Sequence, residues 1–388
     1  MSDAIAFPPR DEPLQFGIAL EAFYRDILQR PSTDTHVDAE GRSVWTQEYL
    51  RRRVNGASHS SAVAAVFIEI ERTIHPQPGP PPFRGALQID GQTPIFRDVQ
   101  GAPLRLVGAS AFMRYQQFLD GRDLSAGDRW YVEMGVESER VFLMTHLMDG
   151  GVANGGLEFH PDRYGEAFYD GLVPFGRRNR DLGRRTELVV YADAQYIKPE
   201  QAAQQWHLDR IVEIVRDEPW ALLVVCNEAD AADNGVDVSR VRPLNPGPLV
   251  WASGAYLIAN NPSLPLGRYG DYHGDRSREG ARLEAAKEGH FYFDGWDLRP
   301  GEDSWGIAAR VPWVHGEPMG FGETPTNRWG DERETDPDHA EDMGLGHGLS
   351  SAGGNAHAED LTVGRVPWPV QPECVRRYLA GMRTFPED

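Results

Sequence analysis

From residue 84 to the end of the chain, short apolar runs alternate with longer stretches of helical period, the pattern of repeated β/α units. Eight runs qualify as strands: Leu104–Ala109, Arg140–Met144, Glu187–Ala192, Ala221–Cys226, Leu249–Ala252, a short one near Gly270–His273, Val311–His315 and Asn355–His357. Eight strands in this alternation predict an α/β fold, a closed (β/α)₈ barrel of the TIM type over residues 84–388. Ile89-Asp90-Gly91 and Ile95-Phe96-Arg97-Asp98 predict a short opening hairpin that plugs the bottom of such a barrel. The competing arrangement is a doubly wound open sheet, but no G-x-G-x-x-G turn follows the first strand to support a dinucleotide site.

Residues 75–83 form a proline-rich linker; His75 to Pro82 read H-P-Q-P-G-P-P-P, which holds neither a helix nor a central strand. Before it, Leu20, Phe23, Tyr24, Ile27 and Leu28 recur at helical spacing, as do Ala62, Ala65, Val66 and Ile68. Residues 1–74 are therefore expected to form a small all-α domain of three or more helices. Val37-Asp38-Ala39-Glu40-Gly41 reads as a turn between helices, and Asn55-Gly56 as a stop. F-Y-R-D-I-L-Q-R, D-A-E-G-R-S-V-W and N-G-A-S over about Leu14 to Ile74 resemble a small helical domain of unknown function found in bacterial surface and phage virion proteins, with Pro31 to His36 as an insertion. That resemblance implies an attachment module whose partners are other virion tail proteins.

Composition narrows the partners. With 59 acidic and 39 basic residues the net charge is −20, which repels nucleic acid and anionic lipid alike. No apolar run is long enough to span a membrane, and no signal-peptide core follows Met1, where Asp3, Arg10, Asp11 and Glu12 crowd the start. The chain reads as one without a signal peptide, resident in a virion (phage tail) or otherwise cytoplasmic. Its two cysteines, Cys226 and Cys374, exclude a disulfide framework and a Cys-based zinc site; Cys226, inside an apolar run, reads as a buried thiol.

In a closed barrel the active site lies at the C-terminal ends of the strands, so polar residues directly after apolar runs are the candidates. Leu222-Leu223-Val224-Val225-Cys226 ends in Asn227-Glu228, and Val311-Pro312-Trp313-Val314 ends in His315-Gly316-Glu317. Three β/α units of roughly 30 residues fill the interval between Glu228 and Glu317, which puts them after strands four and seven, across the barrel mouth. Two such carboxylates suit hydrolysis of an acetal. One protonates the departing oxygen and the other supports the positive charge at the anomeric carbon.

The strand order, the Asn-Glu after strand four and the glutamate after strand seven resemble clan A glycoside hydrolases, which include the family 5 and family 2 types. That resemblance implies a retaining mechanism with Glu228 as acid/base, Glu317 as nucleophile and Asn227 on the sugar 2-hydroxyl. It also implies that Arg140, opening strand two, hydrogen-bonds the nucleophile and lowers its pKa, and that His273 on strand six meets the substrate. His146, Asp193 and His357 end other strands and are candidates to line the sugar site. The clan's Asn-Glu-Pro is here Asn227-Glu228-Ala229, and its strand-eight tryptophan has no counterpart in Gly354 to Asp360. Glu323 is the rival nucleophile.

Other chemistries find less support. Among the twelve histidines no H-E-x-x-H or H-x-H pair occurs, and Asp331 to Gly348 reads as a polar loop on the barrel rim, so no metal and no cofactor is expected. No G-x-S-x-G elbow is present. The expected function is a retaining glycoside hydrolase acting on a bacterial cell-surface or other polysaccharide. The rival is a non-catalytic glycan-binding or structural protein on the same barrel.

Overall fold

The structure is a computed structural model that describes residues 80–89, 95–146, 158–227, 235–256, 267–272, 291–293, 296–298, 312–315, 336–350, 352–357 and 372–383. The helical domain expected over residues 1–74 lies outside the described residues, as do Glu228, His273, Glu317 and Glu323. Eight parallel strands close a barrel: β1 (Leu106–Ser110), β2 (Ser138–Phe142), β3 (Arg185–Tyr191), β4 (Ala221–Cys226), β5 (Val250–Tyr256), β6 (Gly270–Tyr272), β7 (Trp313–His315) and β8 (Gly353–His357). Every neighbouring pair is hydrogen-bonded in chain order, and Gly353–His357 returns to Leu106–Ser110 to shut the ring.

β4 is a continuous apolar run because both its faces are covered, by the barrel interior on one side and helices on the other. All six residues of β4 are buried. β2 and β3 are likewise buried along their whole lengths although they carry Glu139, Arg140, Arg185 and Glu187. Those charges must find partners inside. Below the barrel, Phe96–Arg97 pairs antiparallel with Pro103–Leu104, and Gln88 bridges to Arg97. Phe96 is fully buried and meets Tyr269, at the start of β6, edge-on at 5.8 Å. Arg185, the first residue of β3, donates to the Gly85 carbonyl at 2.7 Å. The opening segment thus plugs the N-terminal end, with Phe96–Arg97 paired to Pro103–Leu104, while Asp90 and Gly91 of the expected hairpin lie outside the described residues.

Two expectations need correction. Leu104 belongs to the plug and not to β1, because the chain turns there and pairing with the barrel begins at Leu106. The stretch read as a polar rim loop, Asp331 to Gly348, contains a helix, Pro337–Ser350, packed against the helix Pro372–Arg383. Its glycines are what suggested a loop. They serve close approach instead: a Cβ on Gly344 would lie 2.0 Å from the Tyr378 carbonyl oxygen, and one on Gly348 2.7 Å from that of Met382. On the facing helix a Cβ on Gly381 would lie 2.2 Å from the Glu341 carbonyl oxygen. Small residues let two backbones touch where larger ones would hold them apart. His347, on the same helix, is buried with its Nδ1 2.8 Å from the Tyr378 hydroxyl.

Both cysteines are buried. Among the described residues no helix is long and apolar enough to cross a membrane.

Candidate active site at the barrel mouth

The strand register gathers a polar network inside the barrel. Arg140 sits at the centre of β2, not at its start as the sequence pattern suggests, and is level with Glu187 on β3. Its Nη2 donates to the Asn227 Oδ1 at 2.9 Å and to Asp271 Oδ2 on β6 at 3.2 Å, while its Nε lies 3.7 Å from Glu187 Oε2. Tyr269 donates its hydroxyl to Glu187 Oε1 at 2.6 Å, and Asn355 on β8 donates its amide to Oε2 at 2.9 Å. Asn355 reaches Glu187 through a gap on β1: a Cβ at Gly108 would fall 1.8 Å from the Asn355 Oδ1. Arg140, Glu187, Asp271 and Asn355 are each no more than 1% exposed.

Two carboxylates share one guanidinium here, far from bulk water. Burial, reinforced by the like charge of Asp271, pushes the Glu187 carboxyl up to about 7 against Arg140 and its two hydrogen-bond donors. The folded chain therefore keeps a proton that the unfolded chain releases near the ordinary 4.5. This contribution to stability is complete below about pH 4.5 and is lost as the pH rises toward 7. His207, buried beside Tyr169 and pushed down to about 3 by desolvation, works in the opposite sense. Its contribution is lost as the pH falls from its ordinary 6.5 toward 3. A comparison with Glu187→Gln isolates the first. Urea denaturation at pH 5 and pH 7.5 should show wild type losing about 1–3 kcal/mol relative to Glu187→Gln over that interval. Equal slopes would mean that Glu187 is ionised throughout.

Of the residues singled out from sequence, Asn227 and Arg140 are brought into direct contact. Asn227 follows β4, is half-buried, and is held at its backbone by a 2.7 Å bond from its N–H to the Tyr191 carbonyl. His146 and Asp193 meet at a second place, on the rim beyond β2 and β3. Asp193 Oδ2 accepts the backbone N–H of His146 at 2.9 Å and the Thr145 hydroxyl at 3.3 Å. Asp193 has φ +59°, left-handed backbone that aspartate tolerates better than most residues. His357 is the last residue of β8, paired in register with Ser110. Glu228, Glu317 and His273 lie outside the described residues; β4, β7 and β6 end at Cys226, His315 and Tyr272, just before them.

Four network members escape a reading of sequence alone: Glu187, Tyr269, Asp271 and Asn355. A glutamate inside R-T-E-L-V-V-Y is the available signal, because a carboxylate in a doubly covered strand requires a partner. The partner's identity is not local information. A further cluster joins His146 to Glu158 and His160 across the antiparallel pair Thr145–His146 and Glu158–Phe159.

Neither a family model nor a curated protein matches this sequence. Solved structures do. The native β-glucanase of Saccharophagus degradans superposes with a TM-score of 0.52 at 9% identity, covering 79% of this chain and 97% of that one. The same β-glucanase in complex with cellotetraose gives a TM-score of 0.50 at 10% identity, with the same coverage of 79% and 97%. This chain shares their barrel fold. A glycoside hydrolase family 5 protein of Bacteroides vulgatus is also similar, with 13% identity, 72% of this chain, 64% of that chain and a TM-score of 0.48. At 9–10% identity the β-glucanase likeness shows the architecture alone.

Proposed function

We propose that the chain is a retaining glycoside hydrolase acting on a β-linked polysaccharide, such as that of a bacterial cell surface, with Glu228 as acid/base and Glu317 as nucleophile. The observation that carries this reading is where the strands stop. β4 ends two residues before Glu228 and β7 two residues before Glu317, in a barrel whose eight parallel strands all deliver their C-terminal ends to one rim. In barrels of this kind that rim is where chemistry is done. The β-glucanase that shares the fold binds cellotetraose, which supports a carbohydrate substrate here.

In the mechanism, substrate lies across the mouth. Glu228 protonates the departing glycosidic oxygen while the Glu317 carboxylate attacks the anomeric carbon and forms a glycosyl-enzyme intermediate. Water, deprotonated by Glu228, then releases the sugar with its original anomeric configuration. Retention calls for carboxyls about 5–5.5 Å apart. Arg140 acts as a positioning residue: it fixes Asn227, the residue before Glu228 in the chain, to the buried network. Residues 1–74 serve as the attachment module, joining the barrel to a virion tail or another surface assembly.

The test is release of reducing ends from aryl β-glycosides, β-glucan, β-mannan and bacterial surface polysaccharide by the full chain. Hydrolysis of at least one, with retention of configuration by NMR, is expected. Binding without release from any of them would favour a glycan-binding barrel.

A further inference from the structure

His146, Glu158 and His160 stand together at the rim beyond β2. His146 Nδ1 and His160 Nε2 are 3.3 Å apart, His160 Nε2 and Glu158 Oε1 2.9 Å, and His146 Nδ1 and Glu158 Oε1 3.6 Å. A triangle with these sides has a circumradius of about 1.9 Å, so one point lies within bonding distance of all three atoms. Zinc takes imidazole nitrogen and carboxylate oxygen at about 2.0–2.2 Å, and a regular tetrahedron with such bonds has edges of about 3.3–3.6 Å. The observed edges bracket that value.

Hydrogen bonding alone serves the triangle poorly. A neutral imidazole nitrogen is either a donor or an acceptor, so His160 Nε2 cannot donate to Glu158 and also accept from His146. A cation placed above the triangle satisfies all three atoms at once. The supports around it are also of the kind a metal site uses. The backbone of His146 is fixed by Asp193, its ring lies 4.9 Å from that of Tyr196, and the strand pair holds His146 opposite Glu158.

We propose that His146, Glu158 and His160 form a binding site for a zinc-type divalent cation. With side-chain exposures of 16%, 39% and 20%, the three ligands leave the fourth position open to water. The borderline N,N,O donor set favours zinc and its neighbours over magnesium or calcium, which prefer all-oxygen cages. Arg163, whose Nη2 lies 3.0 Å from Glu158 Oε1, occupies the place of the cation's charge and weakens binding. Bound metal ties Thr145–His146 to Glu158–Phe159. This proposal does not depend on the glycosidase reading.

Equilibrium titration of the chelator-stripped full chain with Zn²⁺ against a chromophoric competitor tests it. Wild type should bind one Zn²⁺ more tightly than about 1 µM, and His160→Ala and Glu158→Gln should each bind at least about 100-fold more weakly. Glu158→Gln changes a part-exposed side chain and keeps the fold available if His160→Ala is unstable. Arg163→Ala should tighten binding several-fold. Thermal unfolding of wild type should rise with Zn²⁺, and that of Glu158→Gln should not. No binding at micromolar Zn²⁺ would overturn the proposal. So would an affinity that survives both ligand substitutions within threefold, or one that Arg163→Ala leaves unchanged.

Discussion

Replacing Asp128 by asparagine should cost about 3–5 kcal/mol of folding stability, because its carboxylate is the counter-charge for three guanidiniums in the barrel's outer layer. Arg114 Nη2 reaches Asp128 Oδ1 at 2.7 Å and Arg184 Nη2 reaches the same oxygen at 2.6 Å, while Arg178 binds both oxygens. Arg114 and Arg184 are fully buried, their guanidinium carbons 5.2 and 4.8 Å from the Tyr131 ring centre, and Arg114 also meets Glu139 at 2.5 Å. The cluster links the helices Arg114–Leu119, Ser125–Met134 and Leu172–Asp181 to β2 and to Arg184, which leads into β3. Asparagine keeps the shape and removes the charge. Arg114 then keeps Glu139, whose other oxygen is taken by the Asn179 amide at 2.7 Å, while Arg184 is left with the neutral Asn179 amide oxygen at 3.1 Å. Urea denaturation of Asp128→Asn against wild type measures the loss, and a difference under 1 kcal/mol would mean that water, not Asp128, solvates those arginines.

Arg140→Met should have a comparable effect with a pH signature of its own. Methionine fills much of the space, but Glu187 and Asp271 lose their shared cation and Asn227 loses its donor. The loss should be about 3–5 kcal/mol near pH 8 and smaller near pH 5, because a proton on Glu187 relieves the uncompensated charge. Adding Glu187→Leu should recover part of it, since removing both halves of a buried pair is milder than removing one. A pH-independent loss would leave Arg140 with a packing role only. If hydrolysis is detected, Arg140→Met should also lower kcat more than it raises KM, as expected when a reacting group is misplaced and not lost.

The barrel was legible because its strands obey a local rule. A parallel strand covered on both faces tends to be apolar over its length, and Ala221 to Cys226 satisfies that so fully that β4 is read to the residue. The failures are equally physical. Leu104 is as apolar as its neighbours, and only the antiparallel partner Phe96 assigns it to the plug. Gly344 and Gly348 look like loop residues until the second helix that needs their bareness is present. At the site, the positions after β4 and β7 were readable as strand ends, whereas the charges behind them were not. Glu187 finds its partners on β2, on β8 and at Tyr269 just before β6, far away in sequence, and His146 meets Glu158 and His160 through strand pairing rather than a helical repeat. Local pattern fixes the frame, while side-chain partnership depends on how the frame closes.

The central claim is that Glu317, after β7, is the nucleophile of a glycosidase. Turnover of the best substrate by wild type and by Glu317→Gln, at matched stability, tests it most directly. The account predicts a loss of kcat of at least about 100-fold, since an amide can neither attack the anomeric carbon nor stabilise its positive charge. Equal turnover by the two proteins would contradict it.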